Sequence, residues 1–146
     1  MDAPFPDLAV VAEGTLPTGE RWTITAGGTS RDYYTMLKTV HPDGHSDEGG
    51  MGGPPLYPGS LLNTYTGSAD QGLQRLLVRT SGRVEQLRLE LSNGQSRNLL
   101  PAGTDDAVGL TFFAALLPRT VTVIRLAGLG PGGQVVEELS PRYPPG

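Results

Sequence analysis

The chain has 146 residues, enough for one domain with a substantial core, and no cysteine, which excludes a disulfide framework, a thiolate metal site and a cysteine nucleophile. With 21 glycines and 13 prolines, sparse charge and strand-like runs set between turn signals, it reads as an all-β domain with long loops rather than a disordered chain. The net charge of −4 is uneven: residues 1–72 hold nine acids and three bases, and residues 73–146 six acids and eight bases, a mild basic excess that is not the clustered patch nucleic-acid binding needs.

Met1–Asp7 has neither a basic leader nor an apolar stretch, so it is not a signal peptide. No apolar run approaches the roughly 18–20 residues of a membrane helix. Membrane insertion by this chain is therefore not expected, and a cytoplasmic location is the default. Leu8–Glu13 is a short candidate strand, turned by Pro17-Thr18-Gly19 into Arg21–Gly27. In that second strand Trp22, Ile24 and Ala26 alternate with Arg21, Thr23 and Thr25, the period of a half-buried strand. Trp22 is the best candidate for a large core anchor. Gly27-Gly28 ends the strand, and Tyr33–Val40 follows as another, expected to be bulged because its apolar residues fall on both parities.

The thirty residues from His41 to Asp70 are dense in glycine and proline and show no regular apolar period. They read as one long loop, and a loop of that length is usually functional or ordered by its own apolar side chains. Leu73, Leu76 and Leu77 suit a helical face, but the run into Ser81-Gly82 favours a strand from about Gln74. Val84–Leu91 is clearer: Leu87, Leu89 and Leu91 share one parity, Arg88 and Glu90 the other. Asn93-Gly94 then turns it into Ser96–Leu100, because both residues tolerate positive φ. Gly109–Leu117 is apolar on both parities, as expected of a strand covered on both faces. A short helix competes there, since Phe-Phe-Ala-Ala-Leu-Leu has no β-branched residue, but the segment is short and bounded by Gly109 and Pro118. Val121–Leu129 is β-branched at its start, and Pro131-Gly132-Gly133 turns it into Gln134–Leu139. Trp22, Leu87, Leu89, Phe112, Leu116 and Ile124 are expected to share one core.

Chemistry-bearing residues are few. His41, Asp43, His45 and Asp47, with Glu48, form the one ligand-like cluster, and their imidazoles and carboxylates suit a divalent ion. Their spacing matches no zinc or calcium motif, and a solvated turn at Pro42-Asp43-Gly44 with charged neighbours is the favoured reading. Ser60 and Ser68 sit in no nucleophile motif, and Gly49–Pro55 lacks the lysine and helix start of a phosphate loop. Arg75, Arg79, Arg83 and Arg88 read as solvating charge on an exposed sheet face. No cofactor is expected.

The pattern V-E-Q-L-R-L-E-L-S-N-G, then G-L-T-F-F-A-A-L-L-P and V-T-V-I-R-L-A-G-L-G-P-G-G-Q-V-V, resembles uncharacterised actinobacterial β-domains. Those often form the portion of anchored proteins that lies outside the membrane. The resemblance covers roughly residues 75–139. It implies an immunoglobulin-like antiparallel β-sandwich, here of about seven to nine strands, and no activity. The expected organisation is a single domain over residues 1–140 with a proline-rich tail at 141–146. The expected role is a non-enzymatic binding module for a protein partner or a second copy. Met51, Leu56, Tyr57, Leu61, Leu62 and Tyr65 of the long loop would be the contact surface, unless they cap the core. The competing roles are a metal-dependent hydrolase built on His41–Glu48 and a self-assembling structural protein.

Overall fold

The computed structural model describes residues 8–29, 31–56, 59, 61–68 and 72–139. Alternating strands and glycine turns give the first third of the chain a plain antiparallel meander. It comprises β1 (Ala9–Thr15), β2 (Arg21–Gly28), β3 (Tyr33–Val40) and β4 (Ser46–Met51), paired in that order. Gly19 and Gly44 take positive φ, 99° and 90°, at the turns before β2 and β4, where a side chain would be strained. The chain then crosses to a second sheet.

That central sheet is built from β5 (Leu62–Ser68), β6 (Leu73–Ser81), β9 (Gly103–Asp105) and β10 (Leu110–Pro118), in the order β5-β6-β10-β9. The third sheet takes β7 (Gln86–Leu91), β8 (Ser96–Leu99), β11 (Val123–Leu129) and β12 (Val135–Leu139), in the order β12-β11-β7-β8. Every pairing is antiparallel. The fold is all-β, and among the described residues no helix is long and apolar enough to cross a membrane.

The central sheet is covered on both faces. On β10, Phe113, Ala115 and Leu117 join Leu76 and Val78 of β6 against Leu87, Leu89, Val123 and Leu126 of the third sheet. Leu110 and Phe112, with Leu77, face Ile24, Ala26, Tyr33 and Leu37 of the meander. This is the arrangement expected of a strand apolar on both parities, and the helical alternative for Gly109–Leu117 is displaced by it. The edges of the first two sheets also meet, β4 against β5 and β1 against β9. At the second meeting a Cβ on Gly103 would lie 2.2 Å from the Val11 carbonyl oxygen, so only glycine fits.

Several expectations are corrected. Among the described residues twelve strands form three sheets, where seven to nine strands were expected. The stretch 41–70 is not one loop, because it contains β4, the start of a hairpin and β5. The expected single core is two, with Leu87 and Leu89 in one and Phe112 in the other. Trp22 and Leu116 are only half-buried. Ile124 is 52 % exposed, because the register with β7 shifts between Val123 and Arg125 and turns Ile124 outward. β3 carries no bulge, since its register with β2 runs unbroken from Arg21↔Val40 to Gly28↔Tyr33. The Met1–Asp7 leader and the 141–146 tail lie outside the described residues.

Candidate functional site

The ligand-like cluster is divided by the hairpin that carries it. The His41 N–H donates to the His45 carbonyl at 2.8 Å, and the Asp43 carboxylate accepts from the His45 N–H at 2.9 Å. Alternation along β3 and β4 then sends His41 and Asp47 inward. Their side chains meet at 2.6 Å, Nε2 to Oδ2, with His41 only 2 % exposed. Asp43 and His45 remain at the exposed turn, 3.7 Å apart, and Glu48 lies on the outer face opposite Lys38. The four expected metal ligands therefore do not converge. Among the described residues no three His, Asp or Glu side chains form a metal-holding group.

Arg75 and Arg79 share a strand face, as expected, but that face is buried between the meander and the central sheet. The solvated strip expected of them is not there, and Arg83 and Arg88 alone are exposed. Arg79 is used as a structural staple. Its Nη1 donates to the Tyr33 carbonyl at 3.2 Å and to Thr35 Oγ1 at 3.3 Å. Its Nη2 donates to the carbonyls of Gly52 at 3.4 Å and Pro54 at 3.0 Å, which lie in the crossover and have no strand ladder to join. The guanidinium also sits over the Tyr33 ring, 5.5 Å from its centroid. The Tyr33 hydroxyl in turn donates to Asp105 Oδ2 at 2.5 Å, tying β3 to β9. Burial, then the hydrogen bond and charge of Asp105, hold the Tyr33 hydroxyl far above the ordinary tyrosine range, opposed weakly by Arg79.

Arg75 is different. It is 5 % exposed, and its Nε and Nη1 make no hydrogen bond among the described residues. The Thr39 hydroxyl and His41 Nδ1 are likewise buried and unbonded. Gly49 makes room here: a Cβ on it would lie 2.2 Å from the Tyr65 hydroxyl and 3.0 Å from Arg75 Nη2.

The expected contact residues that are described are half-buried or buried, and none is exposed. Met51, Leu56 and Tyr65 are half-buried against the core below the meander, and Leu62 is 2 % exposed within the other core. Leu61 is half-buried and its N–H donates to the Glu137 carboxylate at 3.1 Å. Tyr57 and Ser60 lie outside the described residues, and Ser68 is described only as the last residue of β5. Met51 and Leu62 still line an open depression of about 300 Å³ with Gly52, Asn63, Thr64 and Leu139. A second, smaller hollow of about 60 Å³ lies between Leu16, Trp22, Leu37, Arg97 and Leu116. Sequence reasoning missed that one. No local pattern marks it, because its lining comes from Leu16 and from β2, β3, β8 and β10.

Compared with protein-family models, curated proteins and solved structures, the chain matches none.

Proposed function

We propose that the protein is a non-enzymatic binding module that meets a protein partner at the depression between β4, β5 and β12. The observation that carries this is the convergence there of three sheet edges around one open depression. Met51, Leu62 and Leu139 give it apolar lining, and Asn63, Thr64 and the buried Arg79 give it polar lining. Protein contacts commonly combine apolar and polar surface in this way. β12 is also an edge strand of its sheet, a position where a neighbouring strand can add. The immunoglobulin-like kinship belongs to the same proposal. The segment that carries the resemblance, 75–139, supplies β6–β12, which make the third sheet and three of the four strands of the central one. Self-association through β12 is the second reading, favoured by Val135, which is 51 % exposed on that edge.

Thr64→Arg places a long charged side chain in the lining of the depression. It is expected to abolish recovery of a partner while leaving the unfolding midpoint unchanged. Thr23→Arg, on the outer face of the meander, is the control and should retain the partner. Sedimentation velocity over a concentration series separates the second reading, which predicts a concentration-dependent dimer lost in Val135→Glu. Equal recovery by wild type and Thr64→Arg would sink the assignment of the depression. Metal analysis of the purified chain tests the hydrolase alternative: a stoichiometric divalent ion lost in both His41→Ala and His45→Ala would revive it.

A further inference from the structure

The pairing of β9 with β10 stops at Gly103↔Phe112, although β10 runs on to Pro118. Phe112 turns its carbonyl to the β9 side, where it accepts from the Ala102 N–H at 2.8 Å. Alternation along an antiparallel strand sends the N–H and C=O groups of Ala114 and Leu116 to that same side. Among the described residues neither finds a partner there. Upstream of Ala102 the chain passes through Pro101 from β8, which packs near β10 without pairing with it. The 60 Å³ hollow opens beside this uncovered stretch, with Leu16, Trp22, Leu37 and Leu116 as its apolar wall. Arg97 of β8 stands on its lining, exposed and without an acidic partner among the described residues.

We propose that this uncovered stretch of β10 is a docking edge for the C-terminal end of an extended peptide. Its last aliphatic side chain enters the hollow between Leu16, Trp22 and Leu116, and its terminal carboxylate meets Arg97. Three features select that occupant. The main-chain groups of Ala114 and Leu116 take a strand by edge addition. The hollow is small and walled by Leu16, Trp22, Leu37 and Leu116, which suits an aliphatic side chain. The groove is closed at one end, because a strand laid antiparallel on β10 runs toward Ala102 and must stop there. A blocked groove takes the end of a chain rather than a passing segment, and the guanidinium of Arg97 chooses a carboxylate over an ammonium. The site lies on the opposite edge of the central sheet from the depression beside Met51 and Leu62, so each can be disabled without the other.

The test uses the full chain, isotope-labelled, and three probes: acetyl-Ser-Thr-Ser-Thr-Val with a free carboxylate, its C-terminal amide, and the free acid ending in glycine. Amide signals of Ala114 and Leu116 are expected to shift saturably with the first probe. The amide and the glycine-ended peptide should each bind at least about tenfold more weakly. Arg97→Gln is at an exposed position and is expected to fold normally. It should erase the preference for acid over amide, and Arg97→Lys should restore part of it. Equal binding of acid and amide overturns the proposal. So do shifts centred on Thr64 instead of Ala114, or no saturable shift at Ala114 and Leu116 with any probe.

Discussion

Arg75 and Arg79 lie four positions apart on one strand face, and their surroundings give them opposite consequences. Arg79 makes hydrogen bonds to three carbonyls and a hydroxyl and lies on an aromatic face. Removing it leaves those acceptors buried and dry. Arg79→Met should cost about 2–4 kcal/mol in urea unfolding. Arg75 carries its charge into the same interface with two nitrogens unbonded. Arg75→Met keeps the volume and removes the desolvated charge, so the expected result ranges from no change to about 2 kcal/mol of added stability. Tyr33 gives a pH test. Its raised folded-state pKa means that the unfolded chain loses the phenolic proton first, from about pH 10 upward. Stability attributable to Tyr33 is therefore fully present below pH 10 and falls as the pH rises above it. Urea midpoints measured from neutral to alkaline pH should show that decline in wild type and a shallower one in Tyr33→Phe.

At the scale of elements, local chemistry was legible and long-range register was not. The β7–β8 hairpin follows from Leu87, Leu89 and Leu91 alternating with Arg88 and Glu90 ahead of Asn93-Gly94. The two-faced burial of β10 follows from its unbroken apolar run. β4 could not be read in the same way. Its sequence, Ser-Asp-Glu-Gly-Gly-Met, has no apolar alternation, because the inward place of Gly49 is filled by Tyr65 and Arg75 from across the interface. A residue reserved for a partner distant in sequence leaves no local trace. The same holds for the buried arginines, since charge reads as surface until the opposing carbonyls are known. Ile124 was misplaced by one residue of bulge, which no propensity reveals. Ile124→Thr should accordingly change stability by less than about 0.5 kcal/mol. Gly103→Ala, where β9 crosses β1, should cost about 1–3 kcal/mol by forcing the two main chains apart.

Across the whole molecule, the central sheet belongs to both cores, so the two interfaces should be lost together. Leu37→Ala weakens one core and Leu87→Ala the other, and each should cost about 2–5 kcal/mol. Both variants should keep a single unfolding transition seen alike by tryptophan fluorescence and far-UV circular dichroism. Two separated transitions would show that the meander and the third sheet melt as independent layers. The position of β10 also has a temporal side. The meander is complete in sequence at Met51, yet Phe112, against which Leu37 and Tyr33 are sealed, is translated some sixty residues later. At roughly 5–20 residues per second, a ribosome needs several seconds to close that gap. For that interval the nascent chain carries a finished sheet with a naked apolar face and open edges. Its folding yield in the cell is therefore set by the pace of elongation through β5–β10, and synonymous codons that slow this stretch should raise the demand for holdase chaperones without altering the finished protein.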